Sequence, residues 1–121
     1  MILVDTSVWI QHLRHGHDGL ANLLQQGLVV CHPFVVGEIA LGSLTRRRAV
    51  LVPLADLPVV RVVHHEDALA FVERRALGGR GIGWVDVHIL ASAFLDRARL
   101  WTLDRRLADV ARELDIAWDE S

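Results

Sequence analysis

Four stretches of the chain are apolar on both faces instead of alternating, over positions 2–4, 28–31, 59–63 and 100–102. Runs this short with no polar side predict strands buried from above and below, the pattern of a parallel sheet covered by helices. A weaker fifth run lies at 116–118. Between the runs, apolar residues recur at three- and four-residue spacing. That periodicity predicts helices over 7–14, 20–26, 34–44, 47–55, 66–77, 87–97 and 105–114. The punctuation agrees: Gly27 stops a helix, Pro33 opens the next, and Pro58 ends the loop before the third strand. Strands alternating with helices predict an α/β fold, a three-layer α/β/α sandwich with a central, mainly parallel sheet of four to five strands. No repeat, linker or low-complexity stretch divides residues 1–121, which are expected to form a single domain.

In open sheets of this kind, ligands bind beyond the carboxyl ends of the strands, where strand order reverses. Asp5 follows the first predicted strand and Asp104 the fourth, while Asp86 falls in the first turn of a predicted helix. Each has a purely structural reading, because Asp caps helix N-termini and the helix dipole favours acid in the first turn. Glu38 fits that reading less well. It sits in a helix interior beside Val35, Val36, Ile39, Ala40 and Leu41, with no basic residue within a turn. A charge among apolar neighbours is costly unless compensated, so Glu38 is either on a narrow exposed strip or in a shared cleft.

Four carboxylates in one cleft would repel one another and raise each other's pKa unless a cation entered. An all-oxygen ligand set suits Mg²⁺ or Mn²⁺. The matching chemistry is metal-assisted hydrolysis of a phosphodiester, in which the ion activates water and offsets charge on the phosphate.

The four acids, in their order and settings, resemble the PIN domain, and the length and phrasing are similar to the VapC toxins of toxin–antitoxin pairs. The residues that carry the resemblance are ILVDTS, PFVVGEIALG, GWVDVHILASA and TLDRRL, which together run from Ile2 to Leu107. The resemblance implies that Asp5, Glu38, Asp86 and Asp104 are an acidic, metal-binding catalytic quartet, with Thr6 and Thr102 as supporting hydroxyls. It also implies an endoribonuclease active as a homodimer and silenced by a cognate VapB-type antitoxin. The alternative is a catalytically inactive PIN-fold module that binds protein or RNA.

Thirteen basic residues, all Arg, stand against fifteen acidic ones for a net charge of −2, so no global charge draws the chain to nucleic acid or an anionic membrane. RNA contact would therefore be local. Arg46, Arg47, Arg80 and Arg105 are the candidates for holding the RNA backbone, although charge clusters are commonly just solvated faces. Cys31 is alone in an apolar run, which excludes an internal disulfide and predicts an inert core thiol. With no basic stretch ahead of the first apolar residues and no apolar run near ~20 residues, neither signal peptide nor membrane span is expected, and the cytoplasm is.

Other features stay outside the expected site. His12, His15 and His17 lack a zinc spacing and read as a polar loop. His88 follows Asp86 by two residues and points to a different helix face. Trp9, Trp84, Trp101 and Trp118 could stack on bases but read better as core or dimer packing. Gly78, Gly79, Gly81 and Gly83 lack the Lys–Ser/Thr ending of a phosphate loop and read as a mobile approach to Asp86. Rival acidic sites fit less well: a receiver domain needs a Lys, and a haloacid-dehalogenase-type phosphatase needs an acid where Ser7 stands.

Overall fold

The structure, a computed structural model, describes residues 1–120. Three parallel strands, β1 (Ile2–Val4), β2 (Val29–Val30) and β3 (Arg99–Trp101), lie in the order β2-β1-β3. Leu3 lies opposite both Val30 and Leu100, and Val4 opposite Trp101. Among the described residues seven helices surround them: α1 (Thr6–His15), α2 (Asp18–Gln25), α3 (Pro33–Leu41), α4 (Arg47–Ala55), α5 (His65–Arg74), α6 (Trp84–Asp96) and α7 (Arg105–Glu113).

The expected fourth and fifth strands are single bridges at the two edges, Cys31 with Val59 and Leu100 with Ala117. The run at 59–63 fails to become a strand for two physical reasons. Val59 is 59% exposed and Val62 43% exposed, so the run is not buried on both sides. Its pairing is also cut short. On the β2 side the Val60 N–H donates to the Cys31 carbonyl at 2.9 Å, and the next rung would need an N–H from residue 33, a proline at the start of α3. On the outer edge the Arg61 N–H donates to the Asp96 carboxylate at 2.9 Å and the Arg61 carbonyl accepts from Ser92 Oγ at 2.6 Å, both from α6.

The chain leaves β1 toward β2, runs on to the bridge at Val59, then returns past β1 to β3 and the bridge at Ala117. Right-handed crossovers therefore put α1 to α4 on one face and α5 to α7 on the other. The packing agrees, with α1 on α3, α3 on α4, α5 on α6, and both α6 and α7 on β3. Leu3, Leu20, Ile89, Leu90, Leu100 and Leu107 are fully buried between the layers. Each contributes roughly 1.5–3 kcal/mol by leaving water.

Local signals account for most boundaries. Gly42 ends α3 at Leu41, three residues before the expected end, and Gly83 starts α6 at Trp84, three residues before the expected start. The histidine segment is not a polar loop. His12 and His15 lie in α1, and His17 takes the N-cap of α2 while its Nε2 lies 3.3 Å from the Glu120 carboxylate. Cys31 is buried, and burial pushes its thiol up to about 11, so it is the inert group expected. No helix among the described residues is long and apolar enough to cross a membrane.

Candidate active site

Strand order reverses at β1, so the crevice beyond the carboxyl ends of β1 and β3 is the place where such a fold binds ligands. Asp5 stands at its floor. Its N–H donates to the Trp101 carbonyl at 2.9 Å, extending the β1–β3 ladder to the acid itself. Asp5 holds the N-cap position of α1, yet its side chain turns away from that helix end. Its Oδ2 accepts from Ser7 Oγ at 2.8 Å and from Thr102 Oγ1 at 2.7 Å, and the residue is only 6% exposed.

Each of those hydroxyls has one proton, and both protons point at Asp5, so the 3.3 Å approach of Ser7 Oγ to Thr102 Oγ1 is a contact and not a hydrogen bond. Their lone pairs accept from the backbone instead. The Leu103 N–H donates to Ser7 Oγ and the Asp104 N–H to Thr102 Oγ1, each at 3.0 Å. The loop after β3 is thereby tied through two hydroxyls to one carboxylate oxygen.

The other three acids arrive from three helices. Glu38 lies on the exposed side of α3, sharing its face with half-buried Phe34 and with Leu41, which is 89% exposed. It is thus on the strip facing outward and not among the apolar neighbours, but it does not drift into solvent, because Thr6 Oγ1 donates to its Oε1 at 2.7 Å. Asp86 Oδ2 accepts from the Gly83 N–H at 2.9 Å, half of a capping box. Asp104 caps α7, its Oδ1 accepting from the Leu107 N–H at 3.1 Å. For Asp86 and Asp104 the structural and the chemical reading hold together, since a cap uses only one of two carboxylate oxygens.

These acids feel one another. The Asp86 carboxyl is held above the ordinary carboxylate range, first by burial, against which the Gly83 N–H works, and then by the charges of Asp5, Asp104 and Glu38. Among the described residues, protein donors reach one oxygen of each acid, leaving Asp5 Oδ1, Glu38 Oε2, Asp86 Oδ1 and Asp104 Oδ2 for another partner. No three His, Cys, Asp or Glu side chains among the described residues stand at the spacing of a finished metal site. The fit to a hard divalent cation rests on the donor set: oxygen only, from four carboxylates, with the Asp86 carboxyl held up by burial and by the charges of the other three. Without added metal, Asp86→Asn is expected to raise the melting temperature by a few degrees near neutral pH, because Asn keeps the acceptor for Gly83 and removes one repelling charge. Thermal melts in EDTA check this, and an unchanged or lower midpoint would contradict it.

The arginines divide. Arg80 is paired with Glu113 at 2.8 Å, and the Arg47 guanidinium donates to the Ala40 carbonyl near the end of α3. Arg46 and Arg105 are exposed and carry no ion pair among the described residues. Arg105 follows Asp104 at the start of α7, and Arg46 borders a groove of about 660 Å³ that runs from Glu38 between α1, α3 and α4. Arg106 lies against Gly81, whose φ of +81° and lack of a Cβ let the loop before α6 sit on the first turn of α7.

Sequence reading did not single out Ser7 or His32. For Ser7 the signal was the hydroxyl two residues after the acid. For His32 it was the place just before Pro33, the N-cap position of the helix that the proline opens. His32 is fully buried; its Nδ1 accepts from the Phe34 N–H at 2.9 Å to cap α3, and its Nε2 has no hydrogen-bond partner among the described residues. Burial, with the nearby His88 as the lesser cause, pulls its pKa down to about 4. His88, also buried, is lowered by desolvation and by the charge of His65.

The family model for the PIN domain matches residues 2–113. The chain is 49% identical over 121 residues to Ribonuclease VapC32 of Mycobacterium tuberculosis, an alignment covering 99% of this chain and 98% of that one. FitAcB from Neisseria gonorrhoeae has a similar structure, with a TM-score of 0.66 at 20% identity over 97% of this chain and 95% of that one. PAE2754 from Pyrobaculum aerophilum superposes with a TM-score of 0.61 at 17% identity over 90% of this chain and 78% of that one. The order of the acids, the switch-point crevice that collects them and the match along nearly the whole length agree: the chain belongs to the PIN-domain family.

Proposed function

We propose that the protein is a metal-dependent endoribonuclease, the toxin of a VapBC-type toxin–antitoxin pair, acting on RNA in the cytoplasm. The observation that carries this reading is the crevice itself, where four carboxylates from β1, α3, α6 and α7 each keep one oxygen without a protein donor. The near-half identity to a ribonuclease over the full length supports it independently.

Asp5, Glu38, Asp86 and Asp104 would hold Mg²⁺ or Mn²⁺. When bound, the ion supplies positive charge against the scissile phosphate and lowers the pKa of the attacking water. Thr102 and Ser7 fix the Asp5 carboxylate, and Thr6 fixes Glu38, so each of these acids keeps its other oxygen for the ion. Arg46 and Arg105, at two sides of the crevice, hold the RNA backbone by charge-assisted hydrogen bonds. Water attacking phosphorus leaves 5′-phosphate and 3′-hydroxyl ends. The protein works as a homodimer and is restrained by its cognate VapB-type antitoxin.

Incubation of purified, antitoxin-free protein with RNA and Mg²⁺ or Mn²⁺ tests the reading. Cleavage is expected, ceasing with EDTA, and its products should accept 3′ ligation without phosphatase treatment. Cleavage that persists in EDTA would refute metal dependence. Tight RNA or protein binding with no cleavage under any metal would instead establish the inactive binding module.

A further inference from the structure

The four tryptophans do not share one environment. Trp9 and Trp101 are buried, and Trp118 packs on Trp101 with ring centroids 4.7 Å apart. Trp84 alone of the four is exposed, at 40%, on the first residue of α6 and two residues ahead of Asp86.

It is exposed but not loose. The edge of His88 meets it at 5.0 Å with the rings 88° apart, and His65 at the start of α5 lies 5.2 Å away. His88 packs on Phe34 at 5.0 Å, and Phe34 on His32 at 4.9 Å. A continuous row of five rings thus runs from the N-terminus of α3, across α6, to the N-terminus of α5. The row reaches the crevice at Phe34, one helical turn from Glu38, while Trp84 lies on the His88 face of α6, whose first turn also carries Asp86. A large apolar ring held outward by its neighbours presents a stiff surface, and every nucleobase has a flat face able to stack on one.

Resting on the ribonuclease reading, we propose that Trp84, braced by His65 and His88, is a stacking platform for one unpaired base of a single-stranded RNA lying across the acid crevice. The platform admits a base only when it is unstacked from its own strand. It therefore favours cleavage in single-stranded segments over duplex, and its tolerance of base identity leaves sequence choice to other contacts.

Two measurements test this. Tryptophan fluorescence is titrated in EDTA, where the proposed nuclease is idle, with a single-stranded oligoribonucleotide and with the same sequence as a duplex. Quenching by the single strand, weak or absent with the duplex and lost in Trp84→Leu, supports the platform; equal quenching in wild type and Trp84→Leu overturns it. In the presence of metal, Trp84→Ala is expected to raise KM on the order of tenfold with a smaller change in kcat, and Trp84→Phe to restore most of it. Unchanged KM in Trp84→Ala, with wild-type cleavage intact, overturns the platform while leaving the nuclease. Quenching that Trp84→Leu abolishes, from a protein that cleaves nothing, supports the platform and refutes the nuclease. Altered oligomeric state in Trp84→Ala with unchanged RNA binding would assign the ring to a protein interface and also overturn the proposal. Thermal melts of all three variants establish that they are folded.

Discussion

Replacing Asp5 by Asn is expected to lower RNA cleavage by on the order of 10²- to 10³-fold or more while leaving the protein folded. The size follows from position. Asp5 is the most buried of the four acids, and its Oδ2 is fixed by two hydroxyls. Its other oxygen is therefore presented without further ordering. Asn can keep both hydroxyl contacts through its carbonyl oxygen, but it then turns an amide toward the crevice, where a donor repels a cation. The fold survives because the exchange removes a charge from a self-repelling cluster and changes no volume. Thr102→Val should cost less, about 10–100-fold, since it loosens the carboxylate without removing it. Cleavage rates beside melting temperatures decide the matter. Equal rates for wild type and Asp5→Asn would mean that the crevice is not where RNA is cut.

Acidification from pH 7 toward pH 4 is expected to destabilise the protein by roughly 3 kcal/mol through His32 alone. The folded state keeps this imidazole neutral down to about 4. Unfolded, it takes up its proton near the ordinary value of about 6.5. Between those values the unfolded chain binds more protons, so stability is full above the upper one and is lost as pH falls to the lower. Local chemistry explains the shift. Nδ1 is the acceptor that caps α3, so a second proton would break the cap as well as place a charge in a dry site. The loss corresponds to roughly 10 °C in melting temperature. His32→Asn retains a capping oxygen and removes the titration. Its melting temperature should therefore fall less between pH 7 and pH 4 than that of the wild type. Parallel slopes for the two proteins would contradict the assignment.

Much of the fold was legible along the chain. The apolar runs at 2–4 and 100–102 correspond to β1 and to β3, which is shifted by one residue to Arg99–Trp101, and their apolar residues are covered on both faces. Glycine and proline marked where helices stop and start. The misreadings share one cause. The run at 59–63 has strand-like residues, but its pairing with Cys31 stops where Pro33 offers no N–H, and its outer edge is taken by the side chains of Ser92 and Asp96, more than thirty positions away. Likewise the histidines at 12, 15 and 17 look like a polar loop until α1 is seen to continue to His15.

The sequence by itself determined which residues could carry chemistry: three acids beside strand ends and helix starts, a fourth inside a helix, and hydroxyls at positions 6 and 102. Only the tertiary structure decided how they are used. Whether Asp5 caps its own helix or turns to Ser7 and Thr102 depends on a residue 97 positions away. Whether Glu38 is a stray exposed acid or belongs to the crevice depends on Thr6 across the α1–α3 contact. Composition also could not tell the outward Trp84 from three packed tryptophans, because exposure belongs to the assembled layers and not to the residue type. Local preference settles backbone conformation over a few residues, whereas a shared electrostatic pocket exists only once distant segments have been brought within a few ångströms of one another.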